Sequence, residues 1–282
     1  MALTEYELAI LDEINEWAIQ LAEYEQTDIE MTYDKGLEIG FELVPEEIRG
    51  EFFAKLDNWL FHLNAVIQGT QLQMDARQRI ITNARAFDED IEHLTDMKKL
   101  PLNQLTYLAD HQIAKHRVYS FAQGGLAGTG GLLLVGTDIL TMTIINLRAV
   151  QLIAMTYGYE TNTPYEMMIS LKVFHGATMP KNLKHQEWSS LVNDLYETAE
   201  EDYFFYEGNE HLINEAWLKA PLKQILKGVV IFLFRKKLIQ GLPLIGMTIG
   251  ASMNYQFSRQ VTEYAHKFYQ YRYLKEKEGT ES

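Results

Sequence analysis

The sequence predicts an all-α fold, and three observations carry that expectation. The first hundred residues show apolar side chains at three-and-four spacing, no strand-like alternation interrupts them, and prolines, capping residues and glycines punctuate the rest at helical intervals. The 282 residues are 47% apolar, enough for a sizeable core. With no fixed-period repeat and no Pro/Ser-rich linker, they read as a single helical domain with two glycine-rich apolar segments packed at its centre.

The elements follow in order. Leu3–Tyr24 puts Leu8, Leu11, Ile14, Ala18 and Leu21 on one face with Glu and Gln opposite, the pattern of an amphipathic helix. Pro45 suits the first turn of a second helix through Trp59, Leu63 and Ile67. A third is expected over Asp75–His93, and a fourth after Pro101 carrying Leu105, Leu108, Ile113 and Val118. Asp138 can cap a helix over Ile139–Tyr157 that stops at Gly158, where glycine accepts a left-handed conformation at little cost. Thr163-Pro-Tyr-Glu166 reads as a capping box with proline at the first helical position. Met179-Pro180 and the polar KNLKHQEW mark a break before a helix over Trp188–Tyr206. A loop follows near Gly208-Asn209, and Pro221 opens a helix through Phe234. The domain plan is an N-terminal helix in residues 1–32, a helical domain in 33–275 and a disordered tail in 276–282.

Two stretches stand apart from this background. Val118–Thr137 and Leu238–Ser258 carry no charged side chain and are rich in glycine, although 23% of the chain is charged. Gly124-xxx-Gly128, Ala127-xxx-Gly131 and Gly246-xxx-Gly250 place small residues one turn apart, so a neighbouring helix can approach closely and gain dispersion contacts. About twenty uncharged residues is also the length that spans a bilayer core. Gly-Gly pairs, Gln and Asn lower the hydropathy of both stretches, which leaves burial inside the domain and contact with a membrane as open alternatives.

Charge is unevenly distributed. The net charge of −14 argues against nucleic-acid binding, which needs a clustered basic surface. Yet Ala216–Thr262 contains no Asp or Glu and carries +7, from Lys219, Lys223, Lys227, Arg235, Lys236, Lys237 and Arg259, while the other residues sum to −21. Residues 185–218 are the reverse, with nine acids and no Lys or Arg. Lys219, Lys223 and Lys227 form a stripe beside Leu222, Ile225, Leu226, Val229 and Phe232, and Arg235, Lys236 and Lys237 follow. Such a helix can lie on an anionic membrane, each cation contributing about 1 kcal/mol. It can equally pack against the acidic segment before it.

Catalytic motifs are incomplete. Gly131-LLLV-Gly136-Thr137 has P-loop spacing but threonine in place of the phosphate-binding lysine, and Gly128-Thr-Gly130 reaches Leu133 where a dinucleotide fingerprint needs its third glycine. Gly250-Ala-Ser252 ends in Asn254 rather than the glycine of a nucleophile elbow. The absence of cysteine excludes disulfides and thiol nucleophiles and fits a reducing cytoplasm, and the acidic N-terminus does not resemble an export signal. His111 and His116 lie five residues apart and diverge around a helix, so no metal site is expected, nor any cofactor. Asp138, Asn146, Arg148, Gln151, Asn254 and Arg259 are candidates for one polar cluster between the two glycine-rich stretches. Arg148, interrupting an apolar helix, calls for a carboxylate beside it.

These residues resemble the signatures of the bacterial EcsC family. The first covers Gly124–Gly128, Thr137-Asp138, Asn146 to Ala154 and Tyr157-Gly158-Tyr159. The second covers Leu242-Pro243 to Gly246, Gly250 and Asn254-Tyr255, leading to Arg259, Ala265 and Arg272. The resemblance implies a location more than a reaction, since the family takes its name from a gene beside those of an ABC transporter linked to secretion. The leading expectation is a non-enzymatic cytoplasmic protein, peripheral at the inner face of the plasma membrane, whose partner is an anionic membrane surface or a membrane transporter. Its rivals are a hydrolase centred on Asp138, Arg148 and Asn254, and a soluble ligand-binding or scaffold domain.

Overall fold

Helix after helix is closed by the residues that punctuate the sequence. The computed structural model describes residues 2–25, 71–127, 131–200 and 243–279, with the backbone alone at 72, 123–127, 131–140, 196–200, 243–250 and 253. Within them the fold is all-α, without strands: α1 (Glu5–Ala22), α2 (Gln71–Ala84), a 3-10 turn (Leu94–Lys99), α3 (Leu102–Ala127), α4 (Gly131–Thr156), α5 (Pro164–Thr178), α6 (Lys181–Glu200) and α7 (Pro243–Gly279).

Local chemistry explains the ends. Thr4 and Glu7 close a reciprocal box, the Thr4 N–H donating to Glu7 Oε2 at 2.8 Å and the Glu7 N–H to Thr4 Oγ1 at 3.3 Å. Pro164 and Pro243 each occupy a first helical position, where a missing N–H costs nothing. Gly158, at φ 85°, ends α4 in the left-handed region as its sequence context predicts. Half of the box at Thr163 forms: its Oγ1 accepts from the Glu166 N–H at 3.3 Å. The Glu166 carboxylate goes elsewhere, to Arg272.

Four expectations about the elements are corrected. Asp138 is not a cap, because α4 already begins at Gly131 and carries it as an interior residue. The helix expected over Asp75–His93 stops at Ala84, where Arg85 Nε donates to the Ile91 carbonyl at 2.8 Å and Asp88 Oδ1 accepts the Asp90 N–H at 3.0 Å, both drawing the chain into a turn. The break after Met179 is a single junction, and KNLKHQEW is already helical in α6. The tail placed at 276–282 is helical as far as Gly279, and Lys277 Nζ holds Glu7 at 2.7 and 2.8 Å. The elements expected over Pro45–Ile67, Gly208-Asn209 and Pro221–Phe234 lie outside the described residues.

The core is organised around α7, the longest described helix, which packs along α3 and also touches α4, α5 and α1. Val261, Ala265, Phe268 and Tyr269 are fully buried on it. Trp188 of α6 meets Trp17 of α1 edge-on at 5.0 Å and Tyr264 of α7 at 5.5 Å. Each such aromatic contributes roughly 1.5–3 kcal/mol by burial, with about 1 more for an edge-to-face pair. Through Trp17, α1 therefore belongs to the same core as the rest.

Candidate functional site

Hydrogen bonds set the register of α3 against α7. Arg117 Nε donates to Thr262 Oγ1 at 3.0 Å, Gln270 Nε2 to Thr106 Oγ1 at 3.1 Å, and the Tyr273 hydroxyl to the Leu100 carbonyl at 3.0 Å. As α7 advances from 262 to 270, its partners on α3 retreat from 117 to 106, and Tyr273 reaches Leu100 just before α3 begins, so the helices are antiparallel. The C-terminal end of α3 consequently lies beside the N-terminal end of α7. On the other flank Asn146 of α4 sits against His116 of α3, which brings the start of α4 to the same end.

The consequence is a pole built from charge-free helix ends. Residues 118–127 of α3, 131–137 of α4 and 243–258 of α7 converge there, although the two stretches that supply them are a hundred residues apart in the chain. Val118, Tyr119 and Phe121 on α3 are 69%, 60% and 52% exposed, and Tyr255 on α7 is 38% exposed, so large apolar groups face outward beside the pole. Gly246 and Gly250 lie one turn apart on α7. Ala127 and Gly131, by contrast, are the last residue of α3 and the first of α4, so that pair does not share a helical face. Gly124 is on α3, while Gly128 lies outside the described residues. Among the described residues no helix is long and apolar enough to cross a membrane.

Below the pole runs a buried polar layer, part of which the sequence anticipates. Asn146, Gln151 and Asn254 are completely buried. Arg148, half-buried, donates from Nε to Gln73 Oε1 at 3.3 Å, and Gln73 Nε2 in turn donates to Gln151 Oε1 at 3.4 Å. The Gln73 amide is thus one partner of Arg148, and burial, aided by the nearby charge of Arg79, holds the Arg148 pKa below its usual value. Arg259 is corrected out of this cluster: its side chain is 62% exposed, 4.0 Å from Glu263. Asp138 falls where only the backbone is described. His116 lies beside Asn146, and Ser120 and Ser258 are also buried on α3 and α7; the two serines were missed, because lone Ser residues on helices carry no distinguishing pattern. His116 Nε2, Asn146 Oδ1 and the two serine hydroxyls are buried without a hydrogen-bond partner among the described residues. Burial first, and then the charge of Arg148, push the His116 pKa down to about 4.

A cleft of about 360 Å³ opens elsewhere, between α1, α3 and α7. Asp110, Arg117, Thr106, His266 and Gln270 line it, and no member of the expected Asp138, Arg148 and Asn254 grouping does. His266 Nδ1 lies 3.6 Å from Asp110 Oδ1, and its Nε2 lies 2.8 Å from the buried Tyr157 hydroxyl. Burial pushes the His266 pKa down to about 4, so the ring is neutral at pH 7. The carboxylate next to Nδ1 then favours a proton on that nitrogen, leaving Nε2 to accept from Tyr157. Among the described residues no group of His, Asp and Glu could hold a metal ion.

Lys219, Lys223, Lys227, Arg235, Lys236 and Lys237 lie outside the described residues; in sequence they lead directly into α7. The sequence model of the EcsC protein family matches residues 9–274. The chain is similar to the uncharacterized protein YdbA of Bacillus subtilis (strain 168), with 24% identity over 248 residues, 87% of this chain and 86% of that one. It is also similar to protein EcsC of the same organism, with 22% identity over 202 residues, 72% of this chain and 78% of that one. No solved structure matches the chain.

Proposed function

The chain belongs to the EcsC protein family, and from that membership we propose that it is a non-enzymatic protein that docks peripherally on an anionic membrane surface. The observation that carries the reading is the convergence of three charge-free helix ends at one pole beside exposed Val118, Tyr119, Phe121 and Tyr255. Apolar and aromatic side chains at such an end gain free energy by entering the boundary between headgroups and acyl chains. The uneven charge supplies the second half of the recognition. The stretch from Ala216 to Thr262, at +7 with no acid, runs in sequence straight into α7, and the first acidic residue of α7 is Glu263.

Attraction at a distance would come from Lys219, Lys223, Lys227, Arg235, Lys236 and Lys237, about 1 kcal/mol for each cation close to the lipid. The chain's overall −14 would at the same time disfavour orientations that present its acidic surface to anionic lipid. In a bacterial cell this surface is the cytoplasmic leaflet of the plasma membrane, where a membrane transporter would be a neighbour in the same plane.

Co-sedimentation tests the proposal. Vesicles of phosphatidylglycerol should pellet the protein while vesicles of phosphatidylcholine leave it in the supernatant, and added salt should release it. Lys219→Glu, Lys223→Glu and Lys227→Glu together should abolish pelleting. Equal binding to both lipids, or none to either, refutes it.

A further inference from the structure

The geometry points to the cleft between α1, α3 and α7 as a binding site for a small zwitterion of the free amino acid kind, its carboxylate on Arg117 and its ammonium on Asp110. This site is separate from the charge-free pole, and the inference does not rest on membrane docking.

Asp110 and Arg117 lie seven residues apart on α3, which places them on one face about 10 Å apart along the axis. A small molecule fits between them with a hydrogen bond of about 2.8 Å at either end. Arg117 already spends Nε on Thr262 Oγ1 at 3.0 Å, which fixes the plane of the guanidinium. Its terminal nitrogens have no hydrogen-bond partner among the described residues, and a carboxylate is the group that takes two parallel N–H donors. At the other end the neutral His266 ring, tied to the Tyr157 hydroxyl at 2.8 Å, stands 3.6 Å from Asp110 Oδ1, whose side chain is 63% exposed at the cleft mouth. Thr106 and Gln270, joined at 3.1 Å, give the cleft a polar wall, and Ile113 adds an apolar surface.

The charges select among ligands. Lys267 is already held by Glu13 at 2.9 Å and Glu263 lies 4.0 Å from Arg259, so Arg117 and, first among the carboxylates, Asp110 remain to act on a ligand. A simple anion would meet those carboxylates, and a simple cation would meet Arg117. A molecule with both charges meets its complement at each end. Partial burial raises the Asp110 carboxyl somewhat despite the nearby Arg117, an effect that solvent at the cleft mouth screens, and burial keeps Arg117 below its usual value despite Tyr255, Glu263 and Asp110. A bound zwitterion would supply the charge that Arg117 lacks and meet Asp110 at the mouth.

Thermal denaturation and titration calorimetry of the full chain test the site, with free glycine, alanine and leucine as probes beside their N-acetyl and methyl ester forms. At least one free amino acid should raise Tm, and blocking either charged end should weaken binding about tenfold or more. Arg117→Gln and Asp110→Asn should each weaken it by a similar factor while keeping the helical circular dichroism of the parent. If Arg117→Gln does not fold, Asp110→Asn, at the cleft mouth, decides the matter. Absence of any shift with all three amino acids overturns the inference, and so does equal binding of the blocked forms or undiminished binding by the folded variants.

Discussion

Arg272 of α7 grips Glu166 of α5 through two parallel hydrogen bonds, Nη1 to Oε2 at 2.8 Å and Nη2 to Oε1 at 2.7 Å, with both residues buried. The guanidinium also lies 3.9 Å from the centre of the Tyr159 ring, so one side chain joins α5, α7 and the turn after α4. Arg272 is among the residues that carry the family resemblance, and its contacts here are those of an internal brace.

Breaking that brace on one side should be costly. Glu166→Gln leaves a buried guanidinium with only Glu276, at 3.1 Å, to oppose its charge, and should lower stability by about 3 kcal/mol in a denaturant titration. The double variant Glu166→Leu/Arg272→Met removes both charges and should lose less than the single one. A double variant that is the weaker of the two would show that the pair stabilises in its own right.

Two glycines should resist substitution for different reasons. At Gly158 the backbone φ of 85° disfavours any side chain, and a Cβ would sit 2.9 Å from Lys98 Cγ, so Gly158→Ala should cost about 1–2 kcal/mol. Gly176 lacks that strain, yet a Cβ there would meet Tyr264 Cζ at 2.8 Å in the aromatic core. Gly176→Ala should therefore cost about 1–3 kcal/mol through overpacking. Thermal denaturation measures both, and an unchanged Tm for Gly176→Ala would mean that Tyr264 is free to move aside.

Acid should weaken the fold before the carboxylates titrate in bulk. His116 and His266 both have folded-state pKa values of about 4, below the 6.5 of an unperturbed imidazole. Between those values the unfolded chain binds protons that the folded chain refuses, so stability falls as pH drops from about 6.5 toward 4. The loss amounts to roughly 3 kcal/mol per histidine at the lower end. Asp110, whose pKa is raised, acts in the opposite sense and softens the decline. Denaturant midpoints between pH 7 and pH 4 should flatten in His116→Gln and His266→Gln, and an unaltered slope in both would contradict the assignment.

Legibility in the sequence tracked how local the cause was. Gly158 and Pro164 announce helix ends through their own backbones, and the structure places the ends there. Asn146, Gln151 and Asn254 stood out as polar residues in apolar surroundings, and all three are buried. Asp138 misled because a good cap residue was available, while α4 begins seven residues earlier, at Gly131, despite the unfavourable propensity of glycine there. The two charge-free stretches of the pole were legible, but their outward-facing arrangement and the cleft were not. Asp110 and His266 are 156 residues apart, Glu13 and Lys267 are 254 apart, and only the antiparallel register of α3 and α7 and the packing of α1 bring such groups together.

Because the chain has no cysteine, a single one can report on the pole without background. Phe121→Cys carrying an environment-sensitive fluorophore marks the exposed charge-free end. Phe87→Cys, beside Tyr107 toward the opposite end of α3, marks a site far from it. On mixing with phosphatidylglycerol vesicles, emission from position 121 should shift to the blue and emission from position 87 should stay unchanged. No shift at 121, or an equal shift at both positions, would contradict docking through this pole.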